Sequence, residues 1–219
     1  MSNPVVAARF AGRCVVVTGA GGDGASASRG AARAAAAAFA AEGARVVVGD
    51  ASTAADVERL IGGAITECGR LDTLVWASGP RSEWEVDITE IDPWRFTELL
   101  DLNLKAAYLT ARHAVPHLLK TGGSLVFIVS DEALPGNRGT AGAVASSAVL
   151  TLMKCIVYQY GPRGVRANAL IPGLVNLAGQ RGSDEDAAGL ALFLASDEAS
   201  YMTGAVLGVE QPAGFTPTR

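Results

Sequence analysis

Three polar residues follow an apolar segment near the middle of the chain. Ser130 ends residues 124–130, which predict a buried strand, and Asp131 and Glu132 come directly after it. A carboxylate at the end of a strand can serve as a general acid or base when its surroundings move its pKa toward neutrality. Carboxylates in loops are more often simply solvated. The two acids are therefore candidate proton-transfer groups with a structural alternative.

Two other arrangements that could do chemistry are weaker. His113 and His117 have the i, i+4 spacing that can hold zinc on one face of a helix, but no cysteine or acid completes a ligand set. We therefore predict no metal site and place the pair on a helix surface or a subunit interface. Ser130 lacks the G-x-S-x-G pattern of a hydrolase nucleophile and has no histidine placed beside it, which argues against a hydrolase triad.

A glycine-rich segment lies between an apolar run at residues 14–17 and an alanine-rich stretch at residues 30–42. A glycine-rich turn between a strand and a helix lets the backbone approach a phosphate at the helix N-terminus. Residues 21–29 could form an anion-binding nest of backbone N–H groups, or a loop that binds no ligand. Asp23 would repel a phosphate unless its side chain points away.

Strands and helices alternate along the whole chain, and they must position these candidates. Strands are predicted at residues 14–17, 45–49, 72–77, 124–130, 165–171 and 205–209, and helices at 30–42, 54–65, 94–119, 140–160 and 184–195. Thr53 and Ser183 are predicted N-caps, each with an aspartate three residues later. Strict alternation predicts the α/β class: a Rossmann-like, doubly wound parallel sheet in three layers, with ligands beyond the carboxyl ends of the strands.

Size and composition limit the kind of partner. The chain has 219 residues and a formal net charge of -4, without a cluster of Lys and Arg, which favours one domain over residues 1–219 and a small-molecule ligand over nucleic acid or membrane. No leader pattern and no apolar segment of about 18 residues is evident, so we expect a cytoplasmic protein. Cys14, Cys68 and Cys155 are expected to be buried, reduced thiols.

Seven short segments, in order, resemble the short-chain dehydrogenase/reductase superfamily over nearly the whole chain. They are residues 17–19, 42–48, 69–72, 101–104, 164–168, 171–173 and 193–204. The resemblance implies the Rossmann-like fold, a homo-oligomer assembled through the long helices around Leu104 and Val149, and NAD as a cofactor. Function must still be argued from the site.

The resemblance also implies a set of cofactor-binding positions. They are Thr18, Gly19, Gly24, Gly30, Asp50, Ala77, Gly79, Pro172 and Gly173. Asp50 matches either the acidic residue that accepts hydrogen bonds from the adenosine ribose or the later aspartate that contacts adenine, and it could instead only start a turn. Ala32 replaces the last glycine of the family's loop, which argues against standard pyrophosphate binding. Trp76 replaces a family asparagine and is predicted to be a core residue.

The catalytic positions depart most from the family. Ser130 matches the serine that orients the substrate oxygen. Asn103 matches the asparagine that holds a water of the proton relay, but an asparagine can equally satisfy backbone groups in a broken helix turn. The family's Y-x-x-x-K pair falls on Gly142 and Ser146. Neither can act as the proton donor or as the cation that lowers its pKa. Asp131 and Glu132 remain as replacement acids or bases.

Two shortened regions complete the differences from the family. After Asp50 the chain runs almost directly into the next helix, where the family has a further helix and strand, so one edge of the sheet is expected to be shortened. Residues 176–182 stand where the family inserts a helical lid, so we expect an open site, or one that a partner subunit closes.

Three hypotheses for function follow. The first is a repurposed small-molecule enzyme, active in biosynthesis, with impaired or no ketone/alcohol redox activity. The second is an NAD(H)-dependent oxidoreductase with an unconventional proton donor. The third is a non-catalytic subunit that keeps the fold for its interactions.

Overall fold

Six apolar segments pair as parallel strands in one sheet. The computed structural model describes residues 8–19, 27–77, 86–130, 139–172 and 182–209. The strands are β1 (Cys14–Gly19), β2 (Arg45–Asp50), β3 (Thr73–Ala77), β4 (Ser124–Ile128), β5 (Arg166–Ile171) and β6 (Val206–Gly208), in the spatial order β2-β1-β3-β4-β5-β6. All neighbouring strands run parallel. The predicted Rossmann-like α/β fold is confirmed.

Helices connect the strands and cover both faces of the sheet. They are α1 (Ala27–Ala41), α2 (Ala54–Cys68), α3 (Pro93–Leu100), α4 (Ala106–Thr121), α5 (Thr140–Tyr160) and α6 (Asp184–Ala195). The predicted caps are present, because Thr53 accepts a hydrogen bond from the Asp56 amide and Ser183 forms a capping box with Asp186. α1 begins three residues earlier than expected, at Ala27 rather than Gly30.

Alternating side chains of the strands build two cores. Val16 points to the face covered by α2, α4 and α5, whereas Val15 and Val17 point to the face covered by α1 and α6. Central parallel strands are buried on both faces, which explains their continuous apolar sequences. The two cores hold the helices in place and so fix the loops at the carboxyl edge of the sheet.

Two polar residues of the segment at residues 164–168 anchor the C-terminal part of the fold. The Arg166 guanidinium donates hydrogen bonds to the carbonyl groups of Leu194, Ser196 and Met202. Buried Asn168 donates to the Met202 carbonyl and accepts from the Ala205 amide at 3.0 Å. These bonds satisfy carbonyl groups at the end of α6 and set the approach to β6, so the motif is structural.

α5 corrects one expectation about apolar segments. Residues 140–163 are long and apolar enough to cross a membrane by length and composition, so the prediction that no segment reaches this limit was wrong. The buried side chains of α5, which include Val149, Met153 and Ile156, pack in the core over the sheet. A core helix passes the same test, and the packing assigns α5 to that class.

The cysteines differ in their surroundings. Cys14 is buried at the start of β1, Cys68 is half-buried at the end of α2, and Cys155 is exposed, so the expectation of three buried thiols was wrong for Cys155. Burial, a hydrogen bond with Cys68 and the negative charge of Asp72 raise the pKa of the Cys14 thiol to about 12. Cys14 therefore stays a neutral thiol in the folded protein.

α1 and α6 pack closely where Gly30 meets Asp184. A Cβ atom on Gly30 would stand 2.2 Å from an oxygen of the Asp184 carboxylate. Burial of Asp184, followed by the charge of Glu185, raises the pKa of its carboxyl group, and Arg33 partly offsets this rise. A side chain at position 30 would require the Asp184 carboxylate to turn away.

The Cys14 thiol predicts a loss of stability in alkali. The unfolded chain releases this proton above about pH 8.5, whereas the folded protein keeps it until near pH 12, so the free energy of unfolding falls as the pH rises through this window. We expect Cys14→Ala to reduce the slope of the fall in urea titrations from pH 8 to pH 11. Cys155→Ala is the control, and an equal slope in both variants would contradict the burial argument.

The contact of Gly30 with Asp184 predicts a specific loss of stability. We expect Gly30→Ala to lower the free energy of unfolding by about 1 kcal/mol relative to Gly62→Ala, because the new methyl group displaces the flexible Asp184 carboxylate and this offsets the usual gain of alanine over glycine in a helix. Asp184→Ala in the same chain should recover most of the loss. Gly62→Ala on α2, where a Cβ meets nothing within 4 Å, is the matched control and should be neutral or stabilising. Equal effects of the two glycine substitutions would refute the contact.

Candidate functional site

The carboxyl ends of the parallel strands collect most of the predicted site residues at one edge of the sheet. Gly19 ends β1, and it pairs with Asp50 at the end of β2 and with Ala77 at the end of β3. Ser130 and Pro172 follow β4 and β5, which are paired through Ile128 and Leu170. Parallel pairing alone therefore brings residues that are far apart in the sequence to one edge.

Gly19 is required by the close approach of β1 and β3. A Cβ atom on Gly19 would stand 2.8 Å from the carbonyl oxygen of Ala77, a contact that backbone atoms cannot relieve by rotation. The residue therefore has a structural role in the sheet, independent of any cofactor. Its predicted role in cofactor binding stays a prediction.

Two polar groups below this edge have no hydrogen-bond partner among the described residues. They are the Thr18 hydroxyl and the Trp76 indole N–H. The two residues are cross-strand partners in β1 and β3, and both are buried. Trp76 packs against Phe127 with ring centroids 6.1 Å apart, so the prediction of a core tryptophan is confirmed. Unsatisfied polar groups at this depth are suited to a bound water or to a polar atom of a ligand.

Asp50 has one carboxylate oxygen engaged and one open. Its Oδ1 accepts hydrogen bonds from the Ala51 amide at 2.7 Å and from the amide and hydroxyl of Ser52 at 3.1 and 2.6 Å. These bonds stabilise the turn that leads into α2, which was one of the alternatives for this residue. No hydrogen bond to Oδ2 occurs among the described residues. Oδ2 is therefore available to ribose hydroxyl groups, and Asp50 fits the adenosine end of NAD.

The pyrophosphate end of NAD fits the described residues less well. Gly30 lies inside the first turn of α1, and the space where its side chain would stand is filled by the Asp184 carboxylate. A carboxylate beside this helix N-terminus competes with a phosphate for the same positive end of the helix. The other predicted loop residues, Gly24, Gly79 and Gly173, lie outside the described residues, as do Asp131 and Glu132.

Asn103 lies in a distorted helical turn and bonds to the backbone there, as in the structural alternative for this residue. Residues Asp101–Lys105 form a π-helical turn between α3 and α4, where a single long helix was predicted. Asn103 is 3% exposed, and its amide donates to the Leu99 carbonyl at 3.3 Å. π-helical turns often occur at functional sites, because they turn a side chain or backbone group out of the regular pattern. The spacing of apolar residues does not show where a helix gains one extra residue, so the sequence carries no clear signal for the π-helical turn.

Gly142 and Ser146 lie together on the buried side of α5. The resemblance aligns these positions with the family's tyrosine and lysine, and both are buried, with Ser146 3% exposed. Their part of the fold packs against the π-helical turn of Asn103. Ser130 is also buried, at 7% exposure. Gly142, Ser146, Asn103 and Ser130 are therefore all buried, and α5 packs against the turn that carries Asn103.

The nearest alternative acid and cation on α5 are directed elsewhere. The Lys154 ammonium donates to the Gly204 carbonyl, in the segment before β6. Tyr158 is 86% exposed, and the Tyr160 ring packs against the Arg163 guanidinium. Over the residues that the structure describes, no group of three His, Cys, Asp or Glu side chains could hold a metal ion.

Comparison with known proteins places this site in a family. The sequence pattern described as short chain dehydrogenase matches residues 19–188. The chain is 30% identical to the meso-2,3-butanediol dehydrogenase of Serratia marcescens, with 92% of this chain and 94% of the relative covered. It is also 30% identical to a 2,5-dichloro-2,5-cyclohexadiene-1,4-diol dehydrogenase of Sphingobium indicum, with 94% and 97% covered.

Solved structures give the same assignment. A crystal structure described as a short-chain dehydrogenase/reductase from Burkholderia xenovorans superposes with a TM-score of 0.81 at 29% identity, and the match covers 92% of this chain and 96% of the other. The parallel, Rossmann-like α/β fold agrees with this match. The chain belongs to the short-chain dehydrogenase/reductase family.

Proposed function

We propose that this chain is a small-molecule enzyme whose site no longer performs ketone or alcohol redox chemistry through a tyrosine and lysine pair. The observation that carries the proposal is the position of Gly142 and Ser146 on the buried side of α5, next to the turn of Asn103. A glycine offers no acid, and a serine hydroxyl supplies no cation to lower the pKa of a proton donor.

The rest of α5 supports the same proposal. Lys154 is bonded to the Gly204 carbonyl and Tyr158 points to solvent, so neither reaches the region of Ser130. Removal of a positioned general acid reduces the rate by about 10² to 10⁴. Standard dehydrogenase turnover is therefore expected to be low or absent in this chain.

The remaining polar groups define the chemistry that we assign to the site. Ser130 donates a hydrogen bond to an oxygen of the substrate, and Asn103 orients a polar group or a water beside it. Asp131 or Glu132, directly after Ser130 in the sequence, serves as the acid or base. A small molecule with a polarised oxygen fits these groups best, in a site without the family's lid.

Restoration of the missing pair tests the proposal. We expect the double variant Gly142→Tyr/Ser146→Lys to gain at least tenfold in NAD-dependent oxidation of meso-2,3-butanediol over the unmodified chain, because a phenol and an ammonium group return to the site. Gly142→Phe/Ser146→Lys is the matched control, since it has nearly the same volume without the phenol. Circular dichroism and the unfolding midpoint verify that each variant is folded.

A measurement of turnover by the unmodified chain can contradict the proposal. Turnover at the rate of ordinary family members, measured with a panel of diols and ketones, would show that another proton donor is at work. Loss of that turnover in Asp131→Asn or Glu132→Gln would then identify the donor.

A second candidate is an NAD(H)-dependent oxidoreductase with an unconventional proton donor. Two observations favour it. Oδ2 of Asp50, at the end of β2, is open. Two relatives that the match covers over more than nine-tenths of their length are named as dehydrogenases. In this candidate Asp50 accepts hydrogen bonds from the adenosine ribose, and NAD supplies the hydride chemistry. Thr18, Gly19, Ala77 and Pro172 border the cofactor at the carboxyl edge.

Calorimetric titration with NAD(H) and NADP(H) separates the two candidates. We expect Asp50→Ala to weaken any NAD(H) binding at least tenfold, and Asp50→Asn to weaken it while the Asn oxygen preserves the turn to Ser52. Glu58→Ala, an exposed carboxylate on α2, is the control. Micromolar binding that depends on Asp50 would favour the oxidoreductase, and an absence of binding would leave the repurposed enzyme.

The expected homo-oligomer has a matching surface. A cavity of about 340 Å³ lies in the groove between α4 and α5, and Tyr108, Val115, Leu119, Leu152 and Ile156 are among its lining residues. Tyr108 and Tyr158 expose large parts of their rings nearby. Long helices with apolar outer faces suit helix packing between subunits, so this groove supports the interface that the resemblance implies.

A further inference from the structure

A further cavity lies at the amino edge of the sheet, opposite the edge that carries the candidate site. It has a volume of about 600 Å³, and its lining includes Arg13, Asp72, Ser124 and Arg166, each of which begins a strand or directly precedes one. The strands above it, β1, β3, β4 and β5, have five or six residues each. Strands of this length separate the two edges by about 17–20 Å. A ligand in this cavity is therefore remote from the candidate site.

Three arginines and two aspartates are the charged residues that line the cavity. Both oxygens of Asp72 accept hydrogen bonds from the Arg70 guanidinium, at 2.6 to 3.1 Å, so these two charges neutralise each other. Arg13 and Arg166 are left with Asp197 as the remaining carboxylate of the lining. Positive charge therefore exceeds negative charge among the side chains of this cavity.

The side chains of Arg13 and Arg166 converge on one short segment after α6. Arg13 forms an ion pair with Asp197, and the Arg166 guanidinium donates to the carbonyl group of the preceding residue, Ser196, at 3.0 Å. The two arginines belong to strands that have β3 and β4 between them, so only their long side chains bring them together. Guanidinium groups that meet at one point are suited to the oxygens of a phosphate, which accept pairs of hydrogen bonds.

The charge of Arg166 is only partly compensated. Its guanidinium donates to three carbonyl groups at the end of α6 and beyond, which carry partial charges, and no carboxylate bonds to it among the described residues. Burial lowers the pKa of the Arg166 guanidinium, the charge of Asp197 partly offsets this effect, and the positive charge of Arg13 lowers the pKa further. An additional anion beside Arg13 and Arg166 would stabilise the charged form of both.

Asp197 holds its place between the two arginines weakly. Its side chain is 83% exposed, and an ion pair with an exposed carboxylate contributes little because water solvates both groups. A phosphate group carries a charge of about −1.5 to −2 at neutral pH, which exceeds that of a carboxylate. A phosphate can therefore displace Asp197 and bind both guanidinium groups.

We propose that the cavity at the amino edge binds the phosphate group of a small molecule, with Arg13 and Arg166 as the residues that hold it. Asp197 occupies this position when the cavity is empty and turns to solvent when the phosphate binds. A cavity of about 600 Å³ has room for a small molecule as well as its phosphate group. The site is independent of the reaction at the carboxyl edge, so it does not rest on the proposed function.

Calorimetric titration with inorganic phosphate, at neutral pH and constant ionic strength, tests the site. We expect Arg13→Gln to weaken binding by about tenfold, because one of the two guanidinium groups is lost. We expect Asp197→Asn to tighten binding by about threefold, because the competing charge is removed while the shape of the side chain is kept. Arg59→Gln and Glu67→Gln are the matched controls and should leave the affinity unchanged, since each removes an exposed member of an ion pair on α2, outside the cavity.

The Asp197→Asn variant separates a ligand site from an ion pair that only stabilises the fold. A purely structural pair predicts a lower unfolding midpoint in this variant and no gain in phosphate affinity, and that result overturns the proposal. An absence of phosphate binding by the unmodified chain, or equal affinity for acetate and phosphate, also overturns it. Arg166 is kept in every variant because it holds the end of α6. Arg13→Lys, which keeps the charge without the planar fork, should give an affinity between those of Arg13→Gln and the unmodified chain.

Discussion

The parallel pairing of β1 with β3 is the contact on which the rest of the structure depends. Pairing at the end of these strands brings Gly19 so close to the Ala77 carbonyl that a Cβ atom would stand 2.8 Å from it. β2 extends the sheet from β1, and β4, β5 and β6 extend it from β3. Because all strands run in one direction, every strand end that carries a candidate site residue lies at the same edge.

The helices that cover the sheet also determine how deeply the predicted site residues are buried. α5 packs against the π-helical turn of Asn103, and Gly142, Ser146 and Asn103 are all buried. On the other face, α6 approaches α1 so closely that the Asp184 carboxylate fills the place of a side chain at Gly30. The packing that stabilises the sheet therefore limits which polar groups a ligand can contact at the carboxyl edge. It leaves an aspartate suited to ribose at the end of β2 and a carboxylate beside the first turn of α1.

Among the residues that the structure describes, β2 and β6 are the two edge strands of the six-stranded sheet. β2 becomes an edge strand with exposed valine, while β1 at the centre keeps both neighbours. Arg166 and Asn168 hold the end of α6 and the approach to β6 by hydrogen bonds to carbonyl groups. Because these bonds lie away from the site, the fold tolerates large changes at its ligand edge.

The sequence by itself determined the class of fold, the six strands, most helix limits and the caps at Thr53 and Ser183, because hydrophobic period and capping residues act over a few neighbouring positions. It also aligned Thr18, Gly19, Asp50, Ser130 and Asn103 with one site. Only the tertiary structure decided that Gly30 faces Asp184, that Asn103 lies in a π-helical turn and that Cys155 is exposed. These features depend on contacts between residues far apart in the chain, and no local pattern encodes such contacts.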